Sequence, residues 1–362
     1  MKRLPLYLAR LFASDTAQLF AVAIFLLYLI QCLRIFDLVA VRGQNILTLL
    51  GQATLALPPL MIVFFYVCLG IGIGRALRGL QASHELHIIH ASARVPALLQ
   101  ALLMTIGGGA LGVLVLTHIF EPVANRNINE WSAAIAADLV GRTLLPNRFV
   151  EVAPGVTVVI GGRAGNGEIT DFFADDARSP EQRRTYVAAQ ATVGMDEDGY
   201  VLQLREGKLQ YMTATGQYSE VAFDRYDMAV DRLTGAVEDR DLVAETATPA
   251  LLAAASANGG LSPAAVEAIF RRSAEALRVI GLGLLAGAIA AFPHGRRTRR
   301  QLPLEIGILL LAFFERGLNM VLPVPRPWDA FSGSLVLLLV AICMWVWKLQ
   351  LLRPMRLKRS AP

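Results

Sequence analysis

The sequence predicts an α-helical polytopic membrane protein, with six transmembrane helices arranged three and three around an inserted all-β domain. The chain of 362 residues is 55% hydrophobic and only 17% charged, with a mean hydropathy of +0.49, which leaves too few polar residues to cover a soluble fold. Long apolar runs lie toward both ends of the chain. Between them the pattern changes to short alternating strands separated by turn residues, which indicates an inserted β domain.

The predicted membrane helices follow from the apolar runs, because a spanning helix needs about 20 mostly apolar residues. Two weaker runs, residues 277–293 and 302–324, carry ionisable residues and are accepted because six spans return the C-terminus to the side of the N-terminus. The first run follows a basic segment as in a signal peptide, but it lacks a small-residue cleavage site, so we expect a retained helix. The four uncharged runs are residues 16–33, 45–74, 95–120 and 330–347.

The distribution of charge predicts the orientation of these helices. Residues 121–278 hold 15 Lys and Arg against 23 Asp and Glu, so the basic excess belongs to the membrane half and indicates topology rather than a nucleic-acid partner. The positive-inside rule places both termini in the cytoplasm and the central domain in the periplasm. The short outer segments then carry only Arg34, Arg42 and Arg326. The short inner segments carry Lys2, Arg3, Arg10, Arg75, Arg78, Arg94, Arg296, Arg297, Arg299, Arg300, Lys348, Arg353, Arg356, Lys358 and Arg359.

The domain organisation follows from the change of pattern. We expect three membrane helices in residues 1–120, the inserted β domain with a helical connector in residues 121–270, and three membrane helices with a basic tail in residues 271–362. The three cysteines all lie in apolar runs outside the central domain. That domain therefore folds without disulfides.

The strands of the inserted domain are predicted from alternation and turn residues. A Val-rich stretch after Phe149 is interrupted by the turn Pro154-Gly155 and is expected to end at Gly161-Gly162. Residues 200–205 alternate, and Glu206-Gly207-Lys208 is expected to turn the chain into the next strand. Several short strands at this spacing predict a jellyroll.

Motifs for catalysis are missing from the sequence. No phosphate-binding loop of the G-x-x-x-x-G-K-[ST] type occurs, so the chain is not expected to hydrolyse ATP, and no catalytic triad or metal-ligand spacing can be assembled. We interpret the glycines Gly70, Gly72 and Gly74 as helix-packing residues rather than a nucleotide loop. The sequence therefore predicts a protein that is not an enzyme and holds no metal.

A short amphipathic segment lies in the first predicted cytoplasmic loop, at about residues 80–93. Its three histidines, at positions 84, 87 and 90, lack the carboxylate pattern of a metal site, so we interpret the segment as a surface helix. Leu86, Ile88 and Ile89 are assigned to one apolar face. Such a helix suits docking into a groove of a cytoplasmic partner.

Charges at membrane depth are the other candidate functional residues. Arg34 stands at the outer end of the first helix, and Glu315-Arg316 lies inside the fifth. Ionisable residues at this depth are costly and usually face a cavity or a partner. The alternative for each is snorkelling to the headgroups or a local ion pair, and the sequence leaves both open.

In the organisation described above and in several short segments, the chain resembles the permease subunits of the lipopolysaccharide-export ABC transporter, LptF and LptG. Glu85-Leu86 followed by residues 88–93 is similar to the coupling-helix motif of that family, with His84 in place of the usual Ser and Ala93 in place of the usual Gly. Residues 31–36, 201–207 and 223–226 look more like LptF than LptG. The resemblance spans nearly the whole chain.

The resemblance implies a function and partners. The chain is expected to extract lipopolysaccharide from the outer leaflet of the inner membrane and to pass it through its periplasmic jellyroll toward the outer membrane. Expected partners are an LptG-like second permease, an LptB-like ATPase dimer that binds the ATP and Mg, and an LptC-like jellyroll protein. Arg34 and Arg316 would then bind lipid A phosphates, and Glu85, Leu86 and Ile89 would contact the ATPase.

Two other functions fit parts of the pattern. A permease of another envelope lipid or lipoprotein exporter would share the inserted domain, although the best-known type places that domain after its first helix. A membrane sensor with a periplasmic ligand-binding domain is the second, and such a sensor usually carries a cytoplasmic output domain. Only a basic tail follows residue 347 here.

Overall fold

The computed structural model describes residues 3–42, 46–138, 146–153, 155–165, 168–179, 182–196, 199–213, 217–230, 233, 241–293 and 303–357. The chain divides into two compact units, one formed by Met1–Asn125 with Val243–Pro362 and the other by Arg126–Leu242. The first unit is helical and the second contains the sheet. Lys2, the basic segment 296–300 and Lys358-Arg359, which enter the orientation argument, lie outside the described residues.

The described helices of the chain range from single turns to long apolar segments, and most of them belong to the helical unit. They are α1 (Arg3–Arg42), α2 (Ile46–Leu55), α3 (Leu57–Ala82), α4 (Glu85–Ala91), α5 (Val95–Val115), a π-helical segment (Leu116–Phe120), α6 (Glu121–Asp138), α7 (Leu242–Glu245), α8 (Thr248–Asn258), α9 (Pro263–Ala290), α10 (Leu304–Val321), a 3-10 turn (Trp328–Phe331) and α11 (Ser332–Leu357).

Five described segments are long and apolar enough to cross a membrane: Arg3–Arg34, Leu57–Ala82, Val95–Trp131, Pro263–Ala290 and Trp328–Gln350. The predicted fifth span corresponds to α10, which is only 18 residues long and contains three charged residues. Helix α10 is therefore less apolar than the others. Helix length and composition support five of the six predicted spans, and the remaining span, α10, stays a prediction.

Two helix boundaries differ from the predicted ones. The second apolar run is divided at Ala56 into α2 and α3, because Pro58 and Pro59 have no N–H to donate to the preceding turn. The third helix does not end at Phe120. It continues through the π-helical segment into α6, where the Arg126 side chain pairs with Glu130 one turn later at 2.7 Å.

Small residues allow α3 to approach its neighbours. A Cβ at Gly72 would lie 2.5 Å from the Thr16 hydroxyl of α1, and a Cβ at Gly70 would lie 3.1 Å from Ile308 of α10. A Cβ at Gly74 would overlap Leu304. The interpretation of this glycine run as a packing surface is confirmed, and the bundle shares one apolar core.

The sheet unit is a six-stranded antiparallel meander in the order β1 to β6. Its apolar face is one buried cluster that includes Val158, Phe172 and Tyr186. The predicted turn near Gly155 joins β1 to β2 with a φ of +81° at that glycine, whereas Pro154 lies outside the described residues. The strands are β1 (Val150–Ala153), β2 (Val156–Arg163), β3 (Ile169–Asp176), β4 (Gln182–Asp196), β5 (Gly199–Thr213) and β6 (Tyr218–Ala229).

Two predicted strand ends were wrong. Strand β2 continues through Gly161-Gly162 to Arg163, and β5 passes through Glu206-Gly207-Lys208 without turning. Glu206 instead adopts a φ of +52° inside the strand, as Asp171 does in β3 with a φ of +51°. The side-chain alternation resets there, since Leu204 and Leu209 are both buried. The register against the neighbouring strands is the same on both sides of this position.

Ion pairs flank the apolar face of the sheet. The Arg183 guanidinium donates to Asp175 at 2.7 Å, and this hydrogen bond holds the pKa of that carboxyl below its ordinary value. The Arg178 guanidinium does the same for Asp176 at 2.7 Å. The described strands form a single sheet, so the two-sheet jellyroll stays a prediction.

Candidate substrate-entry and coupling sites

A buried ion-pair network connects α9 and α10. The Arg278 guanidinium donates from Nε to Glu315 Oε1 at 2.9 Å and also hydrogen-bonds Glu275 one turn earlier. The Arg278 side chain is only 10% exposed and that of Glu315 only 3%. A charge buried to this extent requires its partner, so the predicted membrane-depth charge Glu315 belongs to an ion pair.

Arg316 lies at the edge of this network. Its Nε donates to the hydroxyl of Tyr66 at 3.1 Å, its guanidinium carbon lies 5.9 Å from the Tyr66 ring centre, and its nearest approach to Glu275 is 3.9 Å. The Arg316 side chain is 41% exposed. Tyr66 therefore orients a guanidinium that keeps donors available for another group.

The carboxylates of the network are not saturated. Glu275 Oε2 and Glu315 Oε2 are buried and have no hydrogen-bond partner among the residues that the structure describes. The spacing Glu275-x-x-Arg278 is a helical ion-pair signal from which this contact could have been predicted. Arg278 is thus held by acidic residues of the cluster, whereas Tyr66 orients Arg316.

Arg34 is exposed on α1. The described part of the chain contains no hydrogen bond or ion pair of Arg34, and none joins it to Arg316. The structure therefore brings Glu315 and Arg316 into one cluster and leaves Arg34 as a separate exposed cation.

The amphipathic helix predicted at about residues 80–93 is α4 with its flanking turns. Leu86 is fully buried and Ile89 is 7% exposed, and both belong to the core of the helical unit. Ile88, which was assigned to the same face, is 65% exposed on the other side. The surface that α4 leaves for a partner is formed by Glu85, His87 and Ile88.

Left-handed residues bracket α4. His84 precedes the helix with a φ of +62°, and Ala93 follows it with a φ of +55°. The αL region disfavours residues with a Cβ by about 1–2 kcal/mol. A glycine at position 93, the residue that the family resemblance leads one to expect, would carry no such penalty.

His90 attaches α4 to the other half of the helical unit. Its Nε2–H donates to the backbone oxygen of Ala291 at 2.8 Å, and its ring lies 5.7 Å from that of Phe292. Lys348 of α11 donates to the Ala288 oxygen at 2.7 Å and lies 5.0 Å above the Phe292 ring. A cation and a ring N–H thus satisfy carbonyls at the C-terminal end of α9.

A cleft of about 530 Å³ lies beside Glu85, between α1 and α3. Asp15, Arg75 and Arg78 contribute to its walls, and Ser83 donates to Glu85 Oε1 at 3.3 Å. Arg78 also pairs with Glu305 at the start of α10 at 3.3 Å. Among the described residues no group of three His, Cys, Asp or Glu could hold a metal ion.

These features define a multi-pass membrane protein with an inserted antiparallel sheet and a short helix that is exposed between two of its spans. The family model described as lipopolysaccharide export system permease LptF/LptG matches residues 6–353. The chain belongs to this family, and it is a transport subunit of the inner membrane rather than an ATPase itself. The match does not separate LptF from LptG, so the closer likeness to LptF stays a prediction. No curated protein matches the chain.

Proposed function

We propose that this chain is one of two permease subunits of an ABC transporter that extracts lipopolysaccharide from the outer leaflet of the inner membrane. Family membership supports the export role. The observation that carries the proposed site is the position of Arg316, whose guanidinium is oriented by Tyr66 yet remains 41% exposed beside a buried ion-pair network.

The substrate would be held through its phosphates. Lipid A presents phosphate groups at the membrane surface, and a guanidinium offers them a planar fork of donors that forms charge-assisted hydrogen bonds. Arg316 has Tyr66 on its Nε and only a distant contact with Glu275, which leaves terminal N–H groups for a phosphate. Arg34, which has no hydrogen-bond or ion-pair partner among the described residues, would supply a second cation on α1.

The energy would come from a cytoplasmic ATPase dimer that binds ATP and Mg and docks on α4. Glu85, His87 and Ile88 form the exposed side of this helix, whereas Leu86 and Ile89 attach it to the core. A displacement of α4 would then be transmitted through His90 to the C-terminal end of α9. Helix α9 carries Arg278 and Glu275 of the charged network, so the same helix would connect the motor with the substrate site.

The inserted sheet would receive the acyl chains after extraction. With both termini cytoplasmic and six spans, the positive-inside rule places this sheet in the periplasm. Its continuous apolar cluster would serve as the lipid-binding trough of a jellyroll, from which an LptC-like jellyroll would accept the lipid.

The test is ATP-dependent release of lipopolysaccharide from proteoliposomes that contain this chain, a second permease, the ATPase and an acceptor jellyroll. Arg316→Glu and Arg34→Glu should each lower photocrosslinking of lipopolysaccharide to the helical unit and slow its release. Arg316→Lys and Arg34→Lys should each keep part of the photocrosslinking and part of the release, because lysine keeps the positive charge but lacks the planar fork of N–H donors.

The matched control is Arg326→Glu, which reverses an exposed charge after α10 that the proposed site does not use. It should leave release unchanged. Normal release by Arg316→Glu and Arg34→Glu together would show that these residues do not hold the phosphates. Loss of release in all three variants would indicate a general charge effect instead.

A further inference from the structure

An apolar site lies between α1 and α5, and no residue of the buried ion-pair network lines it. It is a groove of about 720 Å³ whose floor is formed by Phe65 and Leu69 of α3. The walls include small residues, such as Ala13 of α1 and Gly108 of α5. Phe20 and Phe65 meet edge to face at 5.0 Å and close one end of the groove.

The groove is open because the glycines of α5 that line it have no side chain to fill the space between α1 and α5. A Cβ at Gly108 or at Gly112 would have no heavy atom within 4 Å, so glycine is not required there for close packing within this chain. At Gly109, in contrast, a Cβ would lie 2.6 Å from Leu69. Thr105 donates toward the Ala9 backbone oxygen at 3.4 Å and holds α1 and α5 together near the other end.

That other end carries a cation. Arg10 lines the groove one helical turn before Ala13, and it is exposed. In the part of the chain that the structure describes, its guanidinium has no hydrogen bond or ion pair. The groove is therefore apolar along its length and positively charged at its mouth.

We propose that this groove binds one acyl chain of an anionic membrane phospholipid, whose phosphate is held by Arg10. An occupant must be apolar over the stretch from Arg10 to Phe20 and anionic at one end, and such a phospholipid has this distribution. Phe20 lies 10 residues after Arg10, which corresponds to about 15 Å of helix at 1.5 Å per residue, close to the hydrocarbon depth of one leaflet. Arg10 is among the residues that the positive-inside rule places at the cytoplasmic surface, where anionic lipids concentrate.

Lipopolysaccharide is a poorer fit for the same groove. Lipid A carries several acyl chains on one headgroup, whereas this groove of about 720 Å³ lies between only two neighbouring helices. The proposed phosphate ligands Arg34 and Arg316 also lie apart from it, since neither lines the groove. The bound phospholipid would thus be a structural ligand of α1 and α5, independent of the transported substrate.

The test uses the full chain, assembled with its partners, in phosphatidylcholine vesicles doped with phosphatidylglycerol that carries a diazirine at the end of one acyl chain. Crosslinked peptides should map to residues 104–112 of α5 and 13–20 of α1. Gly108→Leu should fill the groove and reduce this labelling about tenfold, and Ala13→Leu, on the other wall, should do the same. Gly107→Leu is the matched control, because Gly107 is equally open to its surroundings but does not line the groove.

The headgroup is tested with Arg10→Gln, which should reduce labelling about tenfold, the scale of one charge-assisted hydrogen bond, whereas Arg10→Lys should keep most of it. Arg94→Gln removes an exposed charge at the start of α5 and should change nothing. Equal labelling by Gly108→Leu and Gly107→Leu would overturn the proposal, as would equal labelling by a phosphatidylcholine probe. Displacement of the probe by lipopolysaccharide, or protection of the groove by a helix of a partner chain, would also overturn it.

Discussion

His90 Nε2 lies 2.8 Å from the backbone oxygen of Ala291, so a single ring joins the exposed helix α4 to the C-terminal end of α9. The two residues are separated by 201 positions in the chain. Phe292 and Trp345 continue the contact, with ring centres 5.4 Å apart. Force applied to α4 would therefore reach the second set of membrane helices through side chains rather than along the backbone.

We expect His90→Phe to keep the stacking on Phe292 but to lose the hydrogen bond to Ala291. The ATPase should still co-purify with the permease, because the exposed face of α4 is unchanged, while lipopolysaccharide released per ATP hydrolysed falls. His90→Gln should restore part of the ratio, since its amide N–H can donate to the same carbonyl. His118→Phe, which removes a histidine hydrogen bond to Thr248 outside α4, is the control. An unchanged ratio in His90→Phe would exclude the linkage.

Glu85→Arg should dissociate the ATPase. Glu85 is exposed beside the cleft between α1 and α3, and reversing a charge at an interface costs a few kcal/mol, which corresponds to about a hundredfold loss of affinity. Co-purification of the ATPase with the tagged permease measures this. Glu85→Gln should have a smaller effect. Full retention of the ATPase by Glu85→Arg would mean that Glu85 is only a solvated helix charge.

Ala93→Gly should stabilise the protein by about 1 kcal/mol, because Ala93 has a φ of +55° and glycine removes the Cβ penalty of the αL region. Ala91→Gly is the matched control inside α4, where the same change should destabilise by about 0.5–1 kcal/mol. Thermal unfolding of the purified chain in detergent compares the two. A lower midpoint for Ala93→Gly than for the parent would contradict the strained conformation.

Arg278→Met should destabilise the helical unit by about 3–5 kcal/mol, because it leaves Glu275 and Glu315 without their buried counter-ion. Combining it with Glu275→Gln and Glu315→Met should recover most of the loss, since no uncompensated charge then remains. Thermal unfolding measures both variants. Arg316→Met, at a more exposed position, should have a smaller effect, and an equal effect would mean that burial of Arg278 is not the cause.

A reporter that is active only outside the cytoplasm should be active when fused at Gly165 and silent when fused at Arg299. The reason is the excess of Lys and Arg in the short segments assigned to the inside. The measurement is the enzymatic activity of the reporter divided by the amount of fusion protein, which is determined by immunoblot. The reverse pattern would overturn the orientation and with it the placement of the sheet in the periplasm.

Local residue patterns were sufficient for the parts of the fold that depend on neighbours in the chain. The apolar runs predicted long helices, the alternation at residues 200–205 predicted a strand, and Gly70, Gly72 and Gly74 predicted close helix packing. The residues around Glu85 pointed to the family that the comparison then showed. Composition and periodicity suffice here because apolar length and side-chain alternation are properties of contiguous residues.

Strand ends and helix breaks were predicted less well, because several conformations were locally acceptable. The Glu206-Gly207 pair is a good turn signal, yet long-range pairing with β4 and β6 keeps it inside a strand and changes only the φ of Glu206. Pro58 and Pro59 divide an apolar run that hydropathy alone joins. In each case the outcome depended on hydrogen bonds that hydropathy does not count.

The sequence by itself determined that the chain is a membrane protein with an inserted sheet, and that Arg34, Glu315 and Arg316 needed an explanation. Only the tertiary structure decided that Glu315 pairs with Arg278, that Tyr66 orients Arg316, and that Leu86 and Ile89 face the core while Ile88 faces outward. The physical reason is that the partner of a buried charge, and the side of a short helix that is covered, depend on residues tens to hundreds of positions away. Those residues meet only when the helices pack.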